Sequence, residues 1–157
     1  MIHRHVTGPA ARLAGVHVLV VEDDAAVAGV LATVLEYYGA WVTVASSHRT
    51  GLSLLRTIVP RVLVVATSPG FDGMPFMRAV RAFERARGGR IATLALTVDP
   101  GQSACDSAAM VGFHACLAKP VDAQEFCRAV ARLARSTRLG ASPTNAESAP
   151  PSATSQS

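Results

Sequence analysis

The sequence predicts an α/β domain in which a five-stranded parallel sheet carries helices on both faces. Apolar runs of strand length alternate with segments whose apolar residues recur at helical spacing, and glycine or proline ends several of these segments. Half of the 157 residues are hydrophobic, which is enough to bury a core. Five strand–helix repeats joined by right-handed crossovers form such a sheet.

The first strand and the first helix set this pattern. Val18 to Val21 is an unbroken apolar run, which is typical of a strand buried on both faces. Helical spacing follows, and Gly39 supplies the stop. The apolar positions of this helix are Val27, Val30, Leu31, Val34, Leu35 and Tyr38.

The second repeat is shorter. Trp41 to Ala45 is predicted as a strand, and Pro60 ends the helix that follows it. Val62 to Val65 is a third, wholly apolar strand. The apolar positions of the second helix are Leu52, Leu55 and Ile58.

Two further repeats complete the sheet. The third helix ends before Gly88-Gly89 and Ile91 to Leu96 is the fourth strand, while residues 100–111 form a weakly patterned helix that stops at Gly112. Ala115 to Leu117 is a short fifth strand. The apolar positions are Phe76, Met77, Val80 and Phe83 in the third helix, and Phe126, Val130 and Leu133 in the last.

We expect one domain over residues 16–135, preceded by an extension over residues 1–15. Residues 136–157 are rich in Ser, Ala and Pro and contain one apolar residue larger than Ala, so we expect a disordered tail with no second domain. The sequence has no apolar run of membrane-spanning length and no stretch like a signal peptide. We therefore expect a cytoplasmic protein without a membrane partner.

Charge and cysteine content point to no catalytic or metal centre. The net charge is +4, and two arginine stripes lie at helical spacing, which we interpret as solvated helix faces, with nucleic-acid binding as an alternative. The three cysteines form no CxxC pair, so we expect buried, reduced thiols. The stripes are Arg78, Arg81 and Arg85, and Arg128, Arg132 and Arg135; the cysteines are Cys105, Cys116 and Cys127.

Polar side chains follow three of the predicted strands at their carboxyl ends, where ligands bind in folds of this class. Glu22-Asp23-Asp24 follows the first strand, Thr97 the fourth, and Lys119-Pro120 the fifth. Carboxylates hold divalent cations, a hydroxyl donates to a phosphoryl oxygen, and an ammonium neutralises its charge.

The acid pair, the threonine and the Lys-Pro pair, in this order over five βα units, resemble the receiver domain of two-component response regulators. The resemblance covers Val16 to Arg135 and includes a loop at Ser68 to Gly73, Ser-Pro-Gly-Phe-Asp-Gly. It implies a flavodoxin-like sheet with strand order 2-1-3-4-5. It also implies a signalling module of a phosphorelay, not an enzyme, whose partner is a histidine kinase or another regulator.

The sequence departs from the family at the phospho-acceptor. The family carries an aspartate at the end of the third strand. If the family's pattern is aligned on Pro60, this position falls on Ala66, and if it is aligned on Pro69, the position falls on Val65. No acid occurs from Arg49 through Phe71, so no change of register restores the acceptor. We therefore predict a pseudo-receiver that acts through protein contacts, independently of its own phosphorylation. A receiver that uses Asp72 as acceptor is the alternative.

The departure has consequences for the remaining site residues. With one carboxylate fewer, Glu22 and Asp23 would bind magnesium weakly or not at all, and no cofactor is required. Lys119, the only lysine, should form an ion pair with Asp23 or Glu22. Cys116 stands where the family often has a switching aromatic, and we interpret it as a small apolar filler.

The resemblance also indicates a partner surface. It would consist of the fourth helix, the fifth strand and the fifth helix, with Arg128 and Arg132 exposed on it.

Overall fold

The computed structural model describes residues 12–68, 71–98 and 102–148. The strands are β1 (His17–Val21), β2 (Trp41–Ala45), β3 (Val62–Thr67), β4 (Ala92–Thr97) and β5 (Ala115–Ala118). The helices are α1 (Ala25–Tyr37), α2 (His48–Leu54), α3 (Gly73–Arg87), α4 (Gln102–Val111) and α5 (Ala123–Ser148). All strands are parallel, in the order β2-β1-β3-β4-β5. The predicted fold class and strand order are confirmed.

The sheet separates two hydrophobic cores. In β1, Val18 and Val20 pack into the core that contains α1 and α5, whereas Leu19 and Val21 pack into the core that contains residues of α2 and α3. Successive side chains of a strand point to opposite faces, so an unbroken apolar run fills both cores at once. Burial on both faces fixes β1 and β3 at the centre of the sheet and so fixes the position of the loops at their carboxyl ends.

Helix ends follow their capping residues. Asp24 begins α1, because its carboxylate accepts hydrogen bonds from the backbone N–H groups of Ala26 and Val27. Gly39, predicted as the stop, has φ of +100°, and a Cβ there would lie 3.1 Å from the nitrogen of Ala14. α2 is shorter than predicted, because the chain turns over residues 55–57 before it reaches Pro60.

The domain is longer at both ends than predicted. Leu13, assigned to the N-terminal extension, is fully buried in the α1–α5 core, and its N–H donates to the carbonyl of Tyr38 at 2.8 Å. α5 continues to Ser148, into the segment from Ser136 for which we expected a disordered tail. An existing helix extends at low cost, and the Thr137 hydroxyl donates to the Leu133 carbonyl at 3.0 Å. Residues 1–11 and 149–157 lie outside the described residues.

β2 forms one edge of the sheet, and the edge leaves Trp41 73% exposed. Within the described part of the chain, no helix is long and apolar enough to span a membrane.

Candidate functional site

The carboxyl ends of β1, β3 and β5 surround a cavity of about 220 Å³, which we call the acid–lysine cavity. Its lining includes Glu22, Asp23, His48, Ala66 and Lys119. Parallel strands end at one edge of the sheet, which is why residues distant in sequence meet here. The predicted site residues therefore come together, with the exception of Thr97.

Glu22 and Lys119 form the central contact of this cavity. The Lys119 Nζ lies 2.6 Å from Oε1 of Glu22, whose side chain is 1% exposed, while the lysine side chain is 21% exposed. The second oxygen, Oε2, accepts the backbone N–H of Asp24 at 3.0 Å. The predicted ion pair is present, with Glu22 as the partner. The Lys119–Pro120 peptide bond is cis.

The three consecutive acids have different surroundings. Glu22 is buried against Lys119, Asp23 is exposed at the rim of the cavity, and Asp24 caps α1. Magnesium needs several converging oxygens, yet both oxygens of Glu22 already accept hydrogen bonds. Across the described ranges, no group of three or more His, Cys, Asp or Glu side chains could hold a metal ion. Among the three acids, Asp23 is the one whose carboxylate is exposed at the cavity.

The two candidates for the acceptor position have different surroundings. Val65 is fully buried in the core beneath α2 and α3, whereas Ala66 is half-buried and lines the acid–lysine cavity. The candidate position that lines the same cavity as Lys119 therefore carries a methyl group.

His48 is a cavity residue that the sequence analysis did not single out. Its Nε2 lies 2.9 Å from the carbonyl oxygen of Ala66, and its ring stacks on Phe71 with the centroids 4.1 Å apart. The signal was its place three residues after the end of β2, at the same edge of the sheet as the acids. The imidazole closes the side of the cavity next to Ala66.

Thr97 does not line the acid–lysine cavity. It is 5% exposed and lines a neighbouring cavity of about 350 Å³, which also touches α4 and Phe113. Its backbone still belongs to the site, because its carbonyl accepts the N–H of Lys119 at 2.7 Å. Thr97 thus fixes the backbone that carries the lysine.

Asp72, the alternative acceptor, begins α3. Its carboxylate accepts the backbone N–H of Met74 at 3.2 Å, and it does not line the acid–lysine cavity. Pro69 and Gly70, which the resemblance also included, lie outside the described residues. The geometry gives Asp72 the ordinary function of a helix cap.

The two arginine stripes differ in how they are bound. On α3, Arg81 donates to the carbonyl of Gly112 at 2.9 Å and forms an ion pair with Glu84 at 3.0 Å. On α5, Arg128, Arg132 and Arg135 are all exposed. The α3 stripe is thus partly committed to the fold, whereas the α5 stripe faces solvent.

The prediction of three reduced thiols is wrong for two of the cysteines. Cys105 of α4 and Cys116 of β5 form a disulfide with their Cα atoms 5.5 Å apart. Cys127 is free and buried, and burial raises the pKa of its thiol. The sequence contains only a weak signal for the pair, namely that the two cysteines lie on either side of the turn at Gly112, one in α4 and one in β5.

The sequence profile of the response regulator receiver domain matches residues 18–131, which begin one residue inside β1 and contain the residues given above for the acid–lysine cavity. The chain belongs to the response regulator receiver family. It is also 37% identical over 119 residues to an uncharacterized 14.6 kDa protein in the sodA1 3′ region of Leptolyngbya boryana, a match that covers 75% of this chain and 89% of that protein.

Solved receiver structures have the same fold. A putative response regulator from Chloroflexus aurantiacus is 29% identical with a TM-score of 0.68, and the match covers 76% of this chain and 98% of that one. A receiver domain protein from Clostridium thermocellum is 24% identical with a TM-score of 0.66, covering 79% and 98%. A CheY-like receiver domain protein from Methanospirillum hungatei is 17% identical with a TM-score of 0.65, covering 82% and 98%.

Proposed function

We propose that this chain is a pseudo-receiver of a two-component system, which signals through protein contacts and independently of its own phosphorylation. One observation carries the proposal: Ala66, at which the count from Pro60 places the family's acceptor, lines the acid–lysine cavity. A methyl group offers no nucleophile for phosphoryl transfer. We expect the protein to act in the cytoplasm, with a histidine kinase or another regulator as partner, and to turn over no substrate.

The ion pair supports this proposal. The Lys119 ammonium, which would otherwise neutralise a phosphoryl group, lies 2.6 Å from the Glu22 carboxylate. The pair satisfies the charges of Glu22 and Lys119 inside the protein, so the lysine needs no added anion as a partner, and Asp23 remains exposed to solvent at the rim. A site whose lysine is already paired with an internal carboxylate favours one constitutive conformation of the domain.

We place the partner surface on α4, β5 and α5. Arg128 and Arg132 are exposed on α5, four residues apart and therefore on one face of the helix. They favour an acidic partner surface, because guanidinium groups bind carboxylates in a bidentate manner. The exposed Met110 on α4 adds apolar area to the same surface.

Treatment with acetyl phosphate and magnesium tests the proposal directly. We expect the mass of the intact protein to stay unchanged, since no acid faces Lys119 from the end of β3. The matched variant is Ala66→Asp, which restores a carboxylate at this position. A phosphorylated wild-type protein, with the label mapped to Asp72 or to any other residue, would refute phosphorylation independence.

The partner surface has its own test. Arg128→Glu and Arg132→Glu should each weaken binding of a co-purifying kinase or regulator about ten-fold, through loss of a charge pair and added repulsion. Arg78→Glu is the matched control, because it makes the same change at an exposed position on α3. If the α5 variants bind as well as the wild type does, the partner surface lies elsewhere.

A further inference from the structure

The Cys105–Cys116 disulfide joins α4 to β5 within the surface proposed above for the partner. The two cysteines are 11 residues apart and close a small loop around Gly112. Neither cysteine is fully buried. An attacking thiolate needs access to one of the two sulfurs, and partial exposure of both residues favours such access.

Side-chain burial holds α4 to the domain only weakly. None of residues 103–111 is fully buried, in contrast to α1, α3 and α5, which each bury at least three side chains. Ala108 and Val111 only pack at the margin of the core. Beyond the helix, the Arg81 guanidinium fixes the turn through the carbonyl of Gly112. The disulfide is therefore a covalent attachment of a helix whose residues 103–111 bury no side chain fully.

The helix also has space beside it. The cavity of about 350 Å³ is lined by Ala104, Ala108 and Val111 from α4, and by Thr97 and Phe113 on the side of the sheet. Side chains do not fill this space, so α4 can change position without first displacing packed residues. A helix with no fully buried side chain among residues 103–111 and with an adjacent cavity is suited to local opening.

We propose that Cys105 and Cys116 are a redox-active pair, and that reduction by a dithiol releases α4 from β5. The S–S bond of the protein breaks, and each sulfur ends as a thiol with one added electron and one proton. The two electrons and two protons come from the dithiol, whose sulfurs form the new S–S bond. The inference rests on the proposed function only for the partner surface that α4 would alter.

The third cysteine and the expected compartment agree with this assignment. Cys127 is 1% exposed in the opposite core, and burial raises the pKa of its thiol, so it is poorly placed to compete in thiol–disulfide exchange. Disulfides are rare in reducing compartments, where those that form are mostly transient or redox-sensing. In the cytoplasm, where we expect this protein, the pair would respond to the thiol pool.

Thiol counting and amide hydrogen exchange of the full chain test the proposal. Under non-reducing conditions we expect one titratable thiol after denaturation, and three after treatment with dithiothreitol. Reduction should accelerate amide hydrogen exchange in residues 103–111 about ten-fold, while α1, which packs on the other face of the sheet, keeps its rate. Reoxidation should restore the slow exchange.

Matched variants complete the experiment. The double variant Cys105→Ser/Cys116→Ser should exchange in α4 like the reduced wild type and ignore dithiothreitol, whereas Cys127→Ala should keep the wild-type response. Three thiols in the air-oxidised protein, or an α4 rate that reduction leaves unchanged, would overturn the proposal. An equal acceleration in α1 and α4 would also overturn it, because the disulfide would then stabilise the whole fold. No partner takes part in this measurement, so failure of the proposed partner surface would not alter it.

Discussion

At the scale of single residues, the buried Glu22 carboxylate depends on one lysine. Lys119→Met leaves Glu22, which is 2% exposed, without its ionic partner, and we expect a loss of about 2 kcal/mol in the free energy of unfolding. The lysine side chain is 21% exposed, so water moderates the loss. Urea denaturation measures it.

A double-mutant cycle separates the pair from its surroundings. Combining Lys119→Met with Glu22→Gln should destabilise less than the sum of the two single changes, because each removes the same interaction. Asp23→Asn is the control, since Asp23 is exposed and makes no ion pair among the described residues. Strict additivity of Lys119 and Glu22 would show that the pair contributes nothing to stability.

His114 makes the stability depend on pH. Its Nδ1 accepts the backbone N–H of the buried Thr93 at 3.0 Å, which requires that nitrogen to be unprotonated. Burial, and then the Arg81 guanidinium, lower the pKa of His114 below 6.5. Below about pH 6.5 the unfolded chain then binds more protons than the native one. The contribution of neutral His114 to the free energy of unfolding is therefore present above about pH 6.5 and is lost as the pH falls below it.

The variant His114→Asn isolates this effect. The amide oxygen of asparagine can accept the Thr93 N–H but does not titrate. Urea midpoints measured above and below about pH 6.5 should therefore differ less in the variant than in the wild type. His114 is partly exposed, so we expect a small difference. Equal pH dependence of the two proteins would contradict the assignment.

At the scale of elements, α2 lies so close to β1 that the contact requires glycine. A Cβ at Gly51 would lie 2.7 Å from Cγ2 of Val21, which is itself buried. Gly51→Ala should therefore destabilise the protein by about 1–3 kcal/mol through overpacking, measured by urea denaturation.

Gly29 of α1 provides the matched control, because a Cβ there meets nothing within 4 Å. Gly29→Ala should stabilise the protein by up to about 1 kcal/mol, since alanine favours a helix. If Gly51→Ala stabilises as much as Gly29→Ala does, the close approach of α2 to β1 is wrong.

Elements differed in how far the sequence determined them. β2 was predicted to the residue, and β1 and β3 within two residues, because long apolar runs between turn signals leave few alternatives. The end of α5 was missed, since composition reports how much apolar surface a segment can bury and not how far a formed helix continues. The Cys105–Cys116 pair was missed because each cysteine lay in a different predicted element.

At the scale of the whole molecule, the position of the site followed from topology, whereas its internal contacts did not. Four of the five predicted pocket residues line one cavity, because the ends of parallel strands share one edge of the sheet. The choice of Glu22 over Asp23 as partner of Lys119 depends on which side chain turns inward after β1. Predicting which of the two side chains turns inward requires the three-dimensional course of the backbone.

The N-terminal limit of the molecule can be tested at Leu13. This residue is fully buried, and Leu13→Ala should lower the free energy of unfolding by about 2–4 kcal/mol through loss of packing and the cavity left behind. Arg12→Ala changes an exposed neighbour and should have an effect below about 0.5 kcal/mol. A mild effect of Leu13→Ala would return the domain boundary to Val16.

The exposed edge of β2 determines which spectroscopic signal reports on this protein. Trp41 is the only tryptophan and is 73% exposed in the folded state, so its emission maximum should already lie close to that of an unfolded chain. Tryptophan fluorescence should therefore change little in denaturation experiments, and far-ultraviolet circular dichroism is the better signal. The same fluorophore should respond strongly to quenchers such as iodide, and shielding from iodide would detect any molecule bound along β2.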